Sequence, residues 1–377
     1  MKSYNYDKIR PYRDNEVNGA LMEIVRDPDF LYIVNKIYGP IQTQIIIDEL
    51  KKVRTVYEFQ SKFTINYAEL IERQTIKELT FSGLENIDKT KNYLFISNHR
   101  DIILDSALLN TILHRNHFPV TEIAIGSNLL IFDWIRHLVR LNRSFIVRRD
   151  LKGKDMLDGS HELSAYIRDT ITKNKTSVWI AQREGRTKDG NDKTQVGLLK
   201  MFNFSGEGSF AHNFKELNII PVSISYEYEP CASAKTFEIN TVRKGEKYQK
   251  TTEDDLNSMG RGLYDNKGRV HFNFSKISDS EIDEIGNIKN VNERYLGLSG
   301  LIDKKIYDGY KLFENNFIAH DLLNNTNRYK EKYNELQKKE FEEFVNKNVC
   351  GIEGDRNTVN GIFYEIFAKP VCNKIEN

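Results

Sequence analysis

The stretch Ser97-Asn98-His99-Arg100-Asp101-Ile102-Ile103-Leu104-Asp105 sets a histidine next to two carboxylates. An imidazole aimed by a carboxylate can take a proton from a hydroxyl near neutral pH. The apolar run before it, Tyr93 to Ile96, reads as a buried strand, and Asp105 to Asn110 reads as helix. His99 therefore falls at a strand-to-helix turn, where open α/β sheets build their sites. By spacing alone, either Asp105 or Asp101 can orient it.

Three more stretches carry chemistry. Phe145-Ile146-Val147-Arg148-Arg149 sends two arginines off the end of a strand. Trp179-Ile180-Ala181-Gln182-Arg183-Glu184-Gly185-Arg186-Thr187 delivers a carboxylate, a glycine and two arginines into one loop. Arginine forks match phosphate, and a glycine lets backbone approach a ligand. Ile219-Ile220-Pro221-Val222-Ser223-Ile224 is a strand with an early proline. Each has a plainer reading as a capped turn, a solvated strand end or a charged loop.

These residues need elements to hold them. Strands are expected at Tyr93–Ile96, Glu122–Ile125, Ser144–Val147, Ser177–Ala181 and Ile219–Tyr226, with helices at Asp105–His114, Leu129–Arg140, Gly159–Thr172 and Thr194–Met201. That alternation predicts an α/β fold: a mixed, partly parallel sheet flanked by helices. Leu79 to Leu84 adds a strand and turn, and Arg269 to Phe274 a strand expected to pair at an edge. Residues 1–78 read as an N-terminal helical region of three or four packed helices, 79–280 as the α/β domain, and 281–377 as a C-terminal helical region. Apolar residues at helical spacing in the first region are read as core before membrane contact.

The chain has 377 residues and a net charge of +1, so bulk electrostatics favour no nucleic acid. The charge is unevenly spread. From Arg136 to Lys200 there are 15 Lys and Arg against 8 Asp and Glu, which leaves −6 for the rest and suggests an anionic ligand in the centre. Three scattered cysteines, Cys231, Cys350 and Cys372, form neither a disulfide framework nor a zinc ribbon and suit a reducing compartment. No export leader or membrane span is read. The apolar window Ile123 to Leu141 is broken by Asp133, Arg136, His137 and Arg140, so it suits a membrane surface and not a crossing.

In this order and spacing, the four stretches resemble the glycerolipid acyltransferase family, which includes glycerol-3-phosphate and 1-acylglycerol-3-phosphate acyltransferases. Asn98-His99 with Asp105 is similar to its first block, Phe145 with Arg148 to its second, Glu184-Gly185-Arg186 to its third, and Pro221-Val222 to its fourth. The continuation from Arg186 to Thr194 is closer to the bacterial glycerol-3-phosphate branch. The resemblance covers about residues 79 to 230. Two departures stand out: five residues instead of four separate His99 from Asp105, and the residue between Gly and Arg in block three is missing.

The resemblance implies phospholipid biosynthesis by acyl transfer from a thioester, acyl-CoA or acyl carrier protein, to a hydroxyl of glycerol 3-phosphate or its 1-acyl form. It implies His99 as general base and Asp105 as its orienting acid. Arg148, Arg183 and Arg186 would grip the acceptor phosphate, with Arg149 and Lys193 assisting. Glu184 and Gly185 would complete that subsite. The oxyanion would find donors among backbone N–H groups near Asn98 to Asp101. No metal and no cofactor beyond the acyl thioester is expected, and the place is the cytoplasmic face of a membrane, peripherally bound. Two rivals are a metal-dependent phosphohydrolase using His99, Asp101 and Asp105, and a non-catalytic lipid-binding module.

Overall fold

The computed structural model describes residues 4–376. Seven strands form one sheet: β1 Ile76–Ser82, β2 Leu94–Ser97, β3 Glu122–Gly126, β4 Ser144–Val147, β5 Val178–Ala181, β6 Ile219–Tyr226 and β7 Gly268–Phe274. Their order is β1-β7-β6-β2-β5-β3-β4. The block from β6 to β4 is parallel throughout, while β6 and β7 are antiparallel and β7 and β1 parallel. The fold is thus α/β with a mixed, mostly parallel sheet.

Why these runs make strands is visible in their burial. All four residues of β2 are buried, as expected for a central parallel strand covered on both faces. Leu94, Ile96, Val178 and Ile180 pack to one face; Phe95 and Trp179 pack to the other. Two apolar layers result, one on each side of the sheet. Pro221 lacks an N–H, and it falls just before the β6–β7 ladder, which starts at Val222. The strand at Arg269–Phe274 was expected at an edge. It lies instead between β1 and β6, because β1 pairs outside it.

The helices before the sheet are α1 Asp14–Ile24, α2 Pro28–Lys52, α3 Val56–Phe59 and α4 Ile65–Thr75, with a π turn at Gln60–Thr64. Gly39 (φ 76°) and Pro40 kink α2. Within and around the sheet come α5 Leu104–Arg115, α6 Asp133–Leu141, α7 Gly153–Thr172, α8 Val196–Asn203, α9 Phe210–Lys215, α10 Ala232–Arg243 and α11 Thr252–Tyr264. The last group is α12 Asp279–Gly286, α13 Val291–Asp308, α14 Glu314–Asn324, α15 Glu335–Val349 and α16 Arg356–Val371. Residues 127–132, expected to open a helix at Leu129, make only a short 3-10 turn before α6 starts at Asp133.

One face of the N-terminal helices is core. Leu21, Ile24, Phe30 and Leu50 share a cluster with Leu141, Trp134 and Leu138 of α6. Other apolar side chains are open: Ile37, before the Gly39 break, and Ile41 and Ile45, after it, are all exposed, Ile41 by 80%. No helix among the described residues is long and apolar enough to cross a membrane.

Candidate active site

Parallel pairing brings the chemistry to one edge. Ser97 of β2 is level with Ala181 of β5 and Val222 of β6, so the loops leaving β2 and β5 emerge side by side. β3 and β4 run the same way and end at Gly126 and Val147. The carboxyl ends of such strands are where α/β sheets bind ligands.

The histidine is paired. His99 Nδ1 lies 2.8 Å from Asp105 Oδ2. That carboxylate is fully buried, whereas the His99 side chain keeps 15% of its surface exposed. With Nδ1 donating to Asp105, the lone pair falls on Nε2, by the pairing rules for imidazole. Trp179 stands edge-on to the ring at 5.6 Å between centroids, and its indole N–H donates to Ser97 Oγ at 3.0 Å.

The extra residue between His99 and Asp105 is absorbed in the turn. Asp101 Oδ1 accepts the N–H groups of Ile103 and Leu104, capping α5. Asp105, in the first turn of α5, accepts the N–H groups of Arg100 at 2.6 Å and Asp101 at 3.0 Å on Oδ2. So Asp105 faces the imidazole and Asp101 serves the helix. Asp101 Oδ2 is buried with no hydrogen-bond partner. Burial, and then the charge of Asp105, push the Asp101 carboxyl above its ordinary range. The Arg100 and Asp101 amides are committed to Asp105, which corrects the expectation that they serve an oxyanion.

The arginines divide into two pairs. Arg148 is engaged by Glu162 of α7 at 2.5 Å, and Arg149 by Glu184 at 3.2 Å. The Arg149 backbone N–H also bonds Ser127 Oγ at 3.0 Å. Glu184 thus bridges the second and third blocks, and does so while exposed. The side chains of Arg183 and Arg186 make no ion pair or hydrogen bond among the described residues. Arg186 is only 8% exposed, and its Nη1 is buried with nothing to donate to. An unsatisfied buried donor costs about 1–3 kcal/mol, so this guanidinium is poised for an acceptor. Gly185 between them takes φ 70°, a left-handed backbone that turns the loop after Glu184. Lys193, further on, is exposed.

A buried ionic network braces this turn. Asp192 Oδ2 accepts from Arg100 Nη2 at 2.5 Å, from the Tyr310 hydroxyl at 2.5 Å and from Asn98 Nδ2 at 3.2 Å, while Oδ1 takes the Thr187 hydroxyl at 2.6 Å. Glu229 holds Arg100 from its other side and accepts from Lys235 of α10. Burial opposes the Arg100 charge, but Asp192 and Glu229 outweigh it and raise the guanidinium above its ordinary value. The sequence reading missed Arg100, Asp192, Glu229 and Lys235. Arg100 and Asp192 lie inside the stretches it had singled out, and Asp192 comes six residues after Arg186.

A family model described as Acyltransferase matches residues 78–225. Among solved structures, the chain is similar to the 1-acyl-sn-glycerophosphate (LPA) acyltransferase PlsC from Thermotoga maritima. The identity is 13% and the TM-score 0.39, over 76% of this chain and 92% of that one. No curated protein matches. The stretch that carries all four blocks is the stretch that the Acyltransferase family model matches.

Proposed function

We propose that this O-acyltransferase moves a fatty acyl group from a thioester, acyl-CoA or acyl carrier protein, to a hydroxyl of glycerol 3-phosphate or 1-acylglycerol 3-phosphate. One observation carries the reading: a His99–Asp105 pair at 2.8 Å opens onto the sheet edge that also carries two unpaired guanidiniums, Arg183 and Arg186.

In this reading His99 Nε2 takes the proton from the acceptor hydroxyl as its oxygen attacks the thioester carbonyl. Asp105 holds the tautomer and stabilises the imidazolium that forms. The collapsing tetrahedral intermediate expels the thiolate, and the proton on His99 goes to that sulfur. The thioester is already activated, so no acyl-enzyme is invoked; holding both substrates supplies much of the rate. Arg186 and Arg183 grip the acceptor phosphate. Arg148 and Arg149, each held by a carboxylate, shape the rim of that subsite, and exposed Lys193 adds long-range attraction.

The rival phosphohydrolase is disfavoured by chemistry at the carboxylates. Asp105 Oδ2 already faces the imidazole and two amide N–H groups, a donor set that suits an anion and leaves no room for a cation. Peripheral membrane contact is supported by the exposed Ile37, Ile41 and Ile45 on either side of the Gly39 break in α2. The decisive experiment offers labelled palmitoyl-CoA and palmitoyl-acyl carrier protein against glycerol 3-phosphate and 1-oleoylglycerol 3-phosphate, read by lipid mass. Product from one pair, lost in His99→Ala, supports the reading. Turnover of no pair, or full turnover in His99→Ala, overturns it.

A further inference from the structure

We infer that Tyr226, the last residue of β6, is a positioning residue that sets the proton affinity of His99 through the far oxygen of Asp105. This deepens the acyl-transfer reading and rests on His99 as its base.

The two oxygens of Asp105 are served unequally. Oδ2 faces the His99 ring and accepts the Arg100 and Asp101 amides. Oδ1 has one donor among the described residues, the Tyr226 hydroxyl at 2.8 Å. Asp105 is fully buried and Tyr226 nearly so, so bulk water is not at hand to replace that hydroxyl. Burial, then the charges of Asp105 and Asp101, keep the phenol protonated far above its usual range, and it stays a donor at every pH the enzyme meets.

Charged groups surround the pair from each side. Arg100 and Asp101, from its own turn, and Glu229, from the segment after β6, act on the pair itself; Arg186, from the loop after β5, and Lys267, from the segment before β7, act on the neighbouring Asp101. None of them donates to Oδ1. Placement of the hydroxyl is a matter of strand register: Val222, Ile224 and Tyr226 share one face of β6, the face on which α5 packs.

The physical consequence has a definite sign. A carboxylate that loses a hydrogen bond becomes a stronger acceptor for its remaining donors. It then stabilises the imidazolium of His99 more than the neutral ring. The histidine stays protonated to higher pH, where it is no base.

The test uses the full chain with ring-labelled histidine. In Tyr226→Phe, the NMR titration of His99 and the acid limb of kcat/KM both move to higher pH, by about 0.5–1 unit, a three- to tenfold gain in proton affinity. Replacing Tyr226 alone by 3-fluorotyrosine, a stronger donor, moves both to lower pH and covers the case in which Tyr226→Phe does not fold. A purely structural role lowers the melting temperature or the rate and leaves both pH values in place. That result, in whichever variant folds, overturns the inference. If the wild type turns over no acyl thioester, the acyltransferase reading fails whatever the titration shows; if it does and His99 titrates unchanged, only the role of Tyr226 fails.

Discussion

The backbone N–H of Thr187 donates to the backbone carbonyl of His99 at 2.9 Å. The arginine loop and the histidine turn are therefore one bonded unit, not two neighbours. The Thr187 hydroxyl extends the link to Asp192, which also holds Arg100 and Asn98 on either side of His99. A shift in the loop that carries Arg183 and Arg186 is a shift at the histidine. In the proposed mechanism, acceptor binding and proton transfer share one frame.

In the proposed mechanism His99 is the base. His99→Ala should lower kcat by about 10²–10⁴-fold with the acceptor KM little changed, measured by steady-state acyl transfer. Asp105→Asn should fall within the same range, since the wrong tautomer then faces the acceptor. A kcat within threefold of wild type for His99→Ala would remove the histidine from the mechanism.

The arginines should separate by their partners. Arg186→Ala and Arg183→Ala each lose a charge-assisted contact of about 1.5–3 kcal/mol, which raises the acceptor KM roughly 10- to 100-fold. Arg149→Ala breaks a solvent-exposed pair with Glu184, and such pairs contribute about 0–1 kcal/mol. Its KM should move less than fivefold. Equal effects at Arg149 and Arg186 in an acceptor titration would contradict this division.

Asp192 is expected to matter for stability first. Arg100 is 3% exposed, so Asp192→Ala strands a buried guanidinium with only Glu229, at 3.4 Å, to compensate. Breaking such a pair costs about 3–5 kcal/mol, read as a lower midpoint in urea with the slope unchanged. Asp192→Asn keeps the hydrogen-bonding oxygen and should lose less.

Asp101 gives a pH signature of opposite sign to a paired carboxylate. Its folded pKa is raised above the ordinary 3.8 by burial and by Asp105. The folded state thus holds the proton more tightly than the unfolded one, and stability from this group is lost as pH rises through the folded value. Asp101→Asn keeps a capping oxygen for Ile103 and Leu104 and removes that loss. Urea unfolding at a series of pH values upward from 4 should show wild type losing stability relative to Asp101→Asn. Parallel curves would show that Asp101 is not held protonated.

Membrane contact should follow the exposed isoleucines of α2. Replacing Ile37, Ile41 and Ile45 together by Ser removes three exposed apolar side chains, each of which gains up to about 1.5–3 kcal/mol on full burial. Co-sedimentation with phosphatidylglycerol vesicles should drop at least tenfold, while the melting temperature stays within a few degrees because each of these side chains is half or more exposed. Unchanged co-sedimentation would place the membrane contact elsewhere.

Local sequence settled a definite part of this protein. Apolar runs bounded by turns placed the strands that carry the site, because a strand covered on both faces must be apolar along its whole length, as Leu94 to Ile96 is. The four blocks named the candidate residue types and their order, since parallel strands bring successive carboxyl ends to one edge. Only the tertiary structure decided which groups pair. Asp105, not Asp101, faces His99, because the turn spends Asp101 on the α5 cap. Arg148 and Arg149 are engaged while Arg183 and Arg186 are open, because Glu162 and Glu184 reach the first two. Tyr226 meets Asp105 across 121 positions, and Asn98 meets Asp192 across 94. Such pairings have no local periodicity to betray them: they exist only once the sheet has brought distant strand ends within hydrogen-bond reach.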